Sequence, residues 1–321
     1  MIQQKTKTNI SMAVLLLVAA AWGLGYTCVG DALNNGWSNI GIFCFRGLIG
    51  GTLCMLFAFK EKWWKKKALL WRLLIIGFIT FLGYYLQTEG QIRTSIPNTA
   101  FFTALNVVMV PFLATIFFKE KLSIKSVIAA VVALAGITIL SFDGTAITFH
   151  LGDLLNFLCA VCFAIQIAWI PSLAKYEAPF SIGGIQLLIM GVCNAILIPF
   201  FPNQTNFANS AWLSMIYLTV VTSFGAFVAQ AICQKYVKSS MASLLLGQES
   251  FFGAIFAVLI TNSPVTWQLL IGGFLVVISI VISYVSFNFL KKTTKKPINE
   301  HEKDKDVKIN IENNKDGDSK K

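Results

Sequence analysis

Ten apolar runs of about 18 to 24 residues, joined by short loops, constrain this chain more than any other feature. Their approximate limits are 10–29, 38–59, 68–88, 98–118, 124–142, 152–171, 180–201, 211–233, 241–262 and 267–289. At 1.5 Å per residue, a helix of about 20 residues crosses the ~30 Å hydrocarbon core of a bilayer. Inside that core every backbone N–H and C=O must bond within the protein, and continuous apolar runs satisfy this as helices. Composition agrees: 56% of residues are hydrophobic and 13% charged, with mean hydropathy +0.69, where soluble domains carry about 25% charged residues. Prolines punctuate the scheme. Pro97, Pro179 and Pro264 stand at expected helix starts, and Pro171, Pro199 and Pro202 at expected ends. Lys5 and Lys7 before the first run resemble a signal peptide, but the run continues through Trp22 and Gly25 to Cys28. A retained first helix is expected.

The loops set the orientation. Alternate loops hold Lys5 and Lys7; Lys60, Lys62, Lys65, Lys66, Lys67 and Arg72; Lys119, Lys121 and Lys125; Lys175; Lys235 and Lys238; and ten bases from Lys291 onward. The opposite loops hold only Arg93. Twenty-four bases against one predict that both termini are cytoplasmic and that the span count is even. The net charge of +11 is therefore a membrane-topology signal, and nucleic acid is not an expected partner. Trp63 and Trp64 among lysines read as interfacial anchors. The stretch 291–321 is rich in Lys, Asp and Asn, and a disordered cytoplasmic tail is expected there. Lys291, Lys292, Lys295 and Lys296 would sit against anionic headgroups. The expected location is the plasma membrane, with a bacterial inner membrane preferred.

Sliding the chain on itself by about 143 residues lays the fourth and fifth runs on the ninth and tenth. Asn106 then falls on Glu249, and Ala129-Ala130 on Gly272-Gly273. A shift near 141 places Trp22 on Phe163, and a shift of 140 places Arg46 on Gln186. Two five-helix repeats follow, 1–142 and 152–290. Five is odd, so the second repeat enters the membrane from the opposite side. The fold class expected is an all-α membrane protein of ten transmembrane helices in two inverted-topology repeats, with a site at the midplane between them.

Several short motifs then resemble one family. They are Ala21-Trp22-Gly23; Phe45-Arg46; Thr94-Ser95 leading into Ala100-Phe101-Phe102-Thr103-Ala104-Leu105; Val110-Pro111; Lys119-Glu120-Lys121-Leu122-Ser123; Gly152-Asp153-Leu154-Leu155; and Gln248-Glu249. In order and spacing, over residues 11 to 286 in two tandem units, the chain resembles the ten-helix EamA-type members of the drug/metabolite transporter superfamily. The resemblance implies a metabolite exporter or exchanger without a nucleotide-hydrolysing subunit. The chain departs from the pattern where Glu-Pro in the ninth run reads Glu249-Ser250, and where the acid expected in the following loop is Ser263.

Polar residues recur at helical spacing on four runs. Asn156, Cys159, Cys162, Gln166 and Trp169 form one stripe; Thr99, Thr103 and Asn106 a second; Thr219, Thr222, Ser223 and Gln230 a third; Thr80, Tyr84 and Thr88 a fourth. One stripe alone is interhelical glue worth about 0.6 kcal/mol per contact. Four together point to a shared polar cavity. Arg46 and Glu249 are the charges nearest mid-membrane, where a carboxylate costs on the order of 3 kcal/mol. Either they pair and pin the second and ninth runs, or Arg46 meets a substrate carboxylate or phosphate while Glu249 takes a cation or proton. Glu249→Gln is expected to fold and to change pH-dependent flux. Pro111 frees the Val107 carbonyl, either for a hinge or cavity or for a packed kink. Trp22 and Tyr26, one turn apart, suit either core packing or a pocket for apolar or aromatic groups. The substrate-binding candidates are Trp22, Arg46, Tyr84, Asn106, Gln166, Trp169, Gln248 and Glu249.

Cys159 and Cys162 have CxxC spacing with no second Cys or His pair nearby, which favours packing over metal or redox chemistry. His150 and His301 fit no catalytic constellation, and no metal, cofactor or catalytic residue is expected. Asn203-Gln204-Thr205 is a formal glycosylation sequon in an outer loop. The function expected is secondary active transport of a small metabolite, an amino acid or related compound, by export or exchange through a central polar cavity. The rivals are a membrane-embedded enzyme on lipid-linked substrates, whose acid or histidine cluster the loops lack, and a passive channel or scramblase. Expected partners are a small-molecule substrate and the bilayer, with a proton or other coupling ion and a second copy of the chain as further candidates.

Overall fold

A computed structural model describes residues 2–65, 67–94, 96–141, 150–202, 205–261 and 265–293. Ser95, Ser263, Pro264, the Asn203-Gln204 part of the sequon and the tail from 294, with His301, lie outside the described residues. Two compact units divide the chain, Met1–Ser283 and Tyr284–Lys321. The second is described only as helical backbone to Thr293.

The helices are α1 Ile2–Asn34, α2 Asn39–Ala58, α3 Lys67–Arg93, α4 Ile96–Ala104, α5 Asn106–Phe118, α6 Ile124–Ser141, α7 Leu151–Ala174, α8 Pro179–Leu197, α9 Trp212–Ile216, α10 Ala226–Cys233, α11 Ser239–Leu246, α12 Glu249–Thr261 and α13 Trp267–Thr293. No strand occurs among the described residues. Among the described residues, eight segments are long and apolar enough to cross a membrane; Ile124–Leu140 and Trp267–Ser283 are apolar but shorter. The protein is thus an all-helical, multi-pass membrane protein. Its surface agrees: Leu17, Trp71, Ile116, Leu213 and Phe274 are exposed, while Asn156, Gln186, Asn194 and Gln230 are buried. Water would penalise that exterior, whereas lipid does not.

Three expected spans are interrupted. The run at 98–118 breaks between α4 and α5, and the run at 241–262 between α11 and α12. The two breaks share one chemistry. Asn106 Nδ2 donates to the Thr103 carbonyl at 2.8 Å, and the Leu105 amide falls back to the Phe102 carbonyl three residues away. Gln248 Nε2 donates to the Leu244 carbonyl at 2.7 Å, to which its own backbone amide would donate in a regular helix. That amide bonds Leu245 instead. In both places a side-chain amide bonds a carbonyl of the preceding turn beside a backbone bond shortened to three residues. The third interruption is a π-helical stretch, Tyr217–Gly225, between α9 and α10. There Thr222 Oγ1 and Ser223 Oγ both donate to the Leu218 carbonyl, at 2.7 and 2.9 Å, and the widened turn accommodates the pair. Pro171, expected at a helix end, lies inside α7, which runs a further turn to Ala174.

Helices of the first half pack chiefly on helices of the second. α2 lies on α8, α3 on α7 and α8, α1 on α12 and α10, α5 on α7, and α2 on the π segment. Exchanging each span for its counterpart five later reproduces the same pairs. α2 and α8 run antiparallel, since Gly47 meets Gly191, Gly51 meets Leu188, and Gly184 meets Cys54. α3 and α7 do likewise, with Gly83 against Phe163 and Gly90 against Asn156. A Cβ at Gly47 would overlap the Gly191 backbone, so glycine sets the closeness of that crossing.

Bonds between loops define two faces. On one, Glu61 accepts from the Phe180 and Ser181 amides at 3.0 and 2.8 Å. On the same face Ser239 donates to Glu120 at 2.7 Å, and Lys235 pairs with Glu177. On the other, Asn206 N donates to Ser38 Oγ at 2.9 Å, Thr94 donates to Asp153 at 2.7 Å, and Trp37 Nε1 donates to the Ser210 carbonyl at 2.9 Å.

Candidate functional site

A cavity of about 70 Å³ lies between the two halves, room for roughly five waters. Its wall comes from the second half of α1 (Trp22, Tyr26, Val29), the first half of α2 (Phe43, Arg46) and α3 from Thr80 to Gln91. Asn106, Phe163, Gln166, Thr222, Phe227, Leu246, Gly247 and Glu249 complete it. The parts of α1, α2 and α3 that line it lie toward the face carrying Ser38 and Asn206.

Arg46 is 3% exposed. Its Nε donates to Ser223 Oγ at 3.1 Å and its Nη2 to Thr222 Oγ1 at 3.0 Å. Because both hydroxyls spend their own protons on the Leu218 carbonyl, each presents a lone pair to the guanidinium. The Phe43 ring lies 4.9 Å and the Tyr84 ring 5.7 Å from the guanidinium carbon, a cation–π setting worth about 0.5 to 2 kcal/mol. The charge is solvated by dipoles and rings, and no carboxylate among the described residues forms an ion pair with it.

Glu249 opens α12, where the positive end of the helix favours a carboxylate. The Tyr26 hydroxyl donates to its Oε1 at 3.0 Å, and Gln87 Nε2 donates to the Tyr26 oxygen at 3.1 Å. The Gln87 bond occupies the phenol oxygen as acceptor, so the Tyr26 proton is directed at Glu249. Arg46 and Glu249 do not pair: the ion pairs among the described residues are Glu89–Arg93 and Glu177–Lys235, both at helix ends. The expected alternative in which the two charges pin helices together is therefore corrected. Thr222 and Ser223 satisfy Arg46 instead.

Toward the other face the cavity ends on buried amides. Gln166 Nε2 donates to Gln186 at 3.2 Å and to Gln230 at 3.3 Å, Gln230 Nε2 donates back to Gln166 at 3.2 Å, and Thr80 bonds Gln186 at 3.1 Å.

Of the eight candidates, Trp22, Arg46, Tyr84, Asn106, Gln166 and Glu249 line the cavity. Trp22 also donates its indole proton to the Thr222 carbonyl at 3.0 Å. Trp169 lies elsewhere, its ring 6.1 Å from that of Phe118. Three-residue steps fall about 60° short of a full helical turn, so the stripe from Asn156 winds away before it reaches Trp169. Gln248 is 1% exposed and folds back on its own helix. Gln87 is not among the residues the sequence singles out, whereas Tyr26 reads beside Trp22 as pocket wall or core packing, and Thr222 and Ser223 belong to a polar stripe. Gln87 and Gln91 extend the stripe of Thr80 and Tyr84 by further turns, a signal present in the sequence; the π turn has none.

Comparison with known proteins gives a consistent result. The profile described as "EamA-like transporter family" matches twice, at residues 9–142 and 150–285. A relative from Archaeoglobus fulgidus, described as an uncharacterized transporter, is 27% identical over 270 residues, 84% of this chain and 83% of its own. A solved crystal structure of a protein superposes with a TM-score of 0.74 at 15% identity, covering 89% of this chain and 99% of that one. It is a likeness of fold.

Proposed function

The chain belongs to the EamA-like transporter family, and on that premise we propose that it is a secondary active carrier of a small zwitterionic metabolite. The substrate class is an amino acid or close relative, moved by export or exchange through alternating access. One observation carries the reading: a buried arginine without a carboxylate faces the same cavity as a glutamate that is not paired to it. A charge at such depth costs about 3 kcal/mol, and an incoming carboxylate would answer it bidentately.

The reading takes ten spans, the eight long segments with Ile124–Leu140 and Trp267–Ser283, as two inverted repeats in the plasma membrane with both termini cytoplasmic. Supporting it are the antiparallel crossing of α2 and α8 and the exchange pattern of helix pairs. So is the matching position of the two breaks, at Asn106 and Glu249. In this topology the cavity is nearer the outer face. Its inner side is closed by the Gln166 cluster and by the Glu61 and Glu120 contacts, which would part in the inward-open state.

The test is counterflow in proteoliposomes with amino acids, nucleosides and sugars. We expect transient uphill accumulation of labelled amino acid in vesicles preloaded with unlabelled amino acid, and its loss in Arg46→Gln. Downhill flux without counterflow would indicate a channel and overturn the proposal, as would equal transport of uncharged sugars.

A further inference from the structure

The two helix breaks meet at one corner of the cavity. Asn106 opens α5 and Glu249 opens α12, both line the cavity, and Gly247 packs against the side chain of Val107. Asn106 is 4% exposed. Its Nδ2 is committed to the Thr103 carbonyl, and only the amine side of an amide can face a carbonyl, so the orientation is settled by chemistry. Its Oδ1 is buried and has no hydrogen-bond partner among the described residues. A buried acceptor left unsatisfied is costly, and the residue that carries it lines the cavity. Across that space Glu249 accepts one hydrogen bond among the described residues, at Oε1 from Tyr26, which leaves Oε2 for another donor. Leu246 ends α11 and also lines the cavity, so the negative end of that half-helix borders the same corner. Two acceptors on the cavity's lining residues, one of them a carboxylate oxygen, thus lack a donor among the described residues.

We infer that Asn106 Oδ1 and Glu249 form a binding site for a primary ammonium group, supplied by the amine end of the transported molecule. This rests on the zwitterion reading for its ligand, and it assigns that ligand's direction: amine at the paired breaks, carboxylate at Arg46. An ammonium carries three N–H donors, enough for Asn106 and Glu249 together. The wall also carries four rings, Trp22, Tyr26, Tyr84 and Phe163, beside polar side chains such as Gln87 and Thr88. Rings stabilise an organic ammonium, which sets it apart from a small hard cation that draws on oxygen ligands alone. Glu249 supplies the charge, and Asn106 discriminates, because its acceptor is filled only by a ligand that brings a donor.

The experiment uses ligand-induced thermal stabilisation of the purified full-length protein with three matched probes. These are L-leucine, its decarboxylated amine 3-methylbutylamine, and its deaminated acid 4-methylpentanoate, compared in wild type, Asn106→Leu and Asn106→Asp. Asn106→Leu is expected to weaken binding of the two amine-bearing probes about tenfold, the effect of one hydrogen bond to a charged group, and to leave the acid unchanged. Asn106→Asp keeps an acceptor and loses the bond to Thr103, so amine binding is expected to be retained or tightened. If Asn106 acts only as a structural cap, Asp and Leu weaken all probes alike, and the inference fails. It also fails if the wild-type protein is not stabilised by 3-methylbutylamine, or if sodium replaces the amine with the same dependence on Asn106, which would reassign the corner to an inorganic ion. Should Asn106→Leu not fold, the Asn106→Asp comparison decides alone, since equal loss of acid and amine binding there overturns the site. Binding of the amine without the acid would leave the ammonium site standing and refute the zwitterion reading, so the two proposals fail separately.

Discussion

Arg46 and Glu249 occupy one cavity without neutralising each other, because each has been given a different neutral partner. Thr222 and Ser223 serve the arginine, and Tyr26 serves the glutamate. The distinction between Arg and Lys follows. A lysine at position 46 keeps the charge but cannot reach two adjacent hydroxyls and present a planar fork to a carboxylate. Arg46→Lys is expected to fold normally and to transport at least about tenfold more slowly, measured by counterflow at matched protein density. Glu249→Gln removes the carboxylate that lines the cavity while keeping an acceptor for Tyr26. Flux in that variant is expected to lose its pH dependence between about pH 5.5 and 8, with monodispersity in detergent as the folding control. A pH profile that still follows wild type would show that the carboxylate is not the coupling group.

At the scale of the element, glycines and side-chain amides explain where helices touch and where they stop. Gly47 admits Gly191 so closely that any side chain collides with backbone, whereas a Cβ at Gly30 meets nothing within 4 Å. Gly47→Leu is therefore expected to abolish folded protein in size-exclusion chromatography, and Gly30→Ala to be neutral or slightly stabilising. At the break before α12 the Gln248 side chain, and not its backbone amide, bonds the Leu244 carbonyl. Gln248→Leu returns that carbonyl to the backbone amide, and a more continuous helix should lower transport several-fold without loss of folding. Normal flux in this variant would mean that the break is not part of the mechanism. Two further contacts mark the ends of the central pair, Glu61 on the α8 amides and Asn206 with Ser38 beside α2. Each lies at the start of one of the two helices that cross at Gly47 and Gly191.

For the whole molecule, the exchange of helix pairs between halves means that neither half buries its polar stripes alone. The halves should consequently fold together. Expression of residues 1–142 alone is expected to give no detergent-stable monomer, while co-expression with the remainder restores one. Reporter fusions at both ends are expected to give cytoplasmic signals, and a signal from opposite sides would overturn the even span count.

The apolar runs were legible because a bilayer demands length and hydrophobicity from each helix separately, so every span announces itself in its own residues. Glu249, Arg46 and Asn106 stood out for the same reason: a polar group in such a run is costly wherever it lies. Only the tertiary structure decided what those groups meet. Arg46 bonds to residues about 177 positions away, through a π turn made by two hydroxyls competing for one carbonyl. The breaks beside Asn106 and Glu249 coincide with side chains that bond backbone acceptors of their own helices. Trp169 left the cavity through a drift of helical phase, and Tyr26 entered it through a bond to a helix 223 residues on. Such choices depend on which partners come within hydrogen-bonding reach, and that is a property of the packed halves.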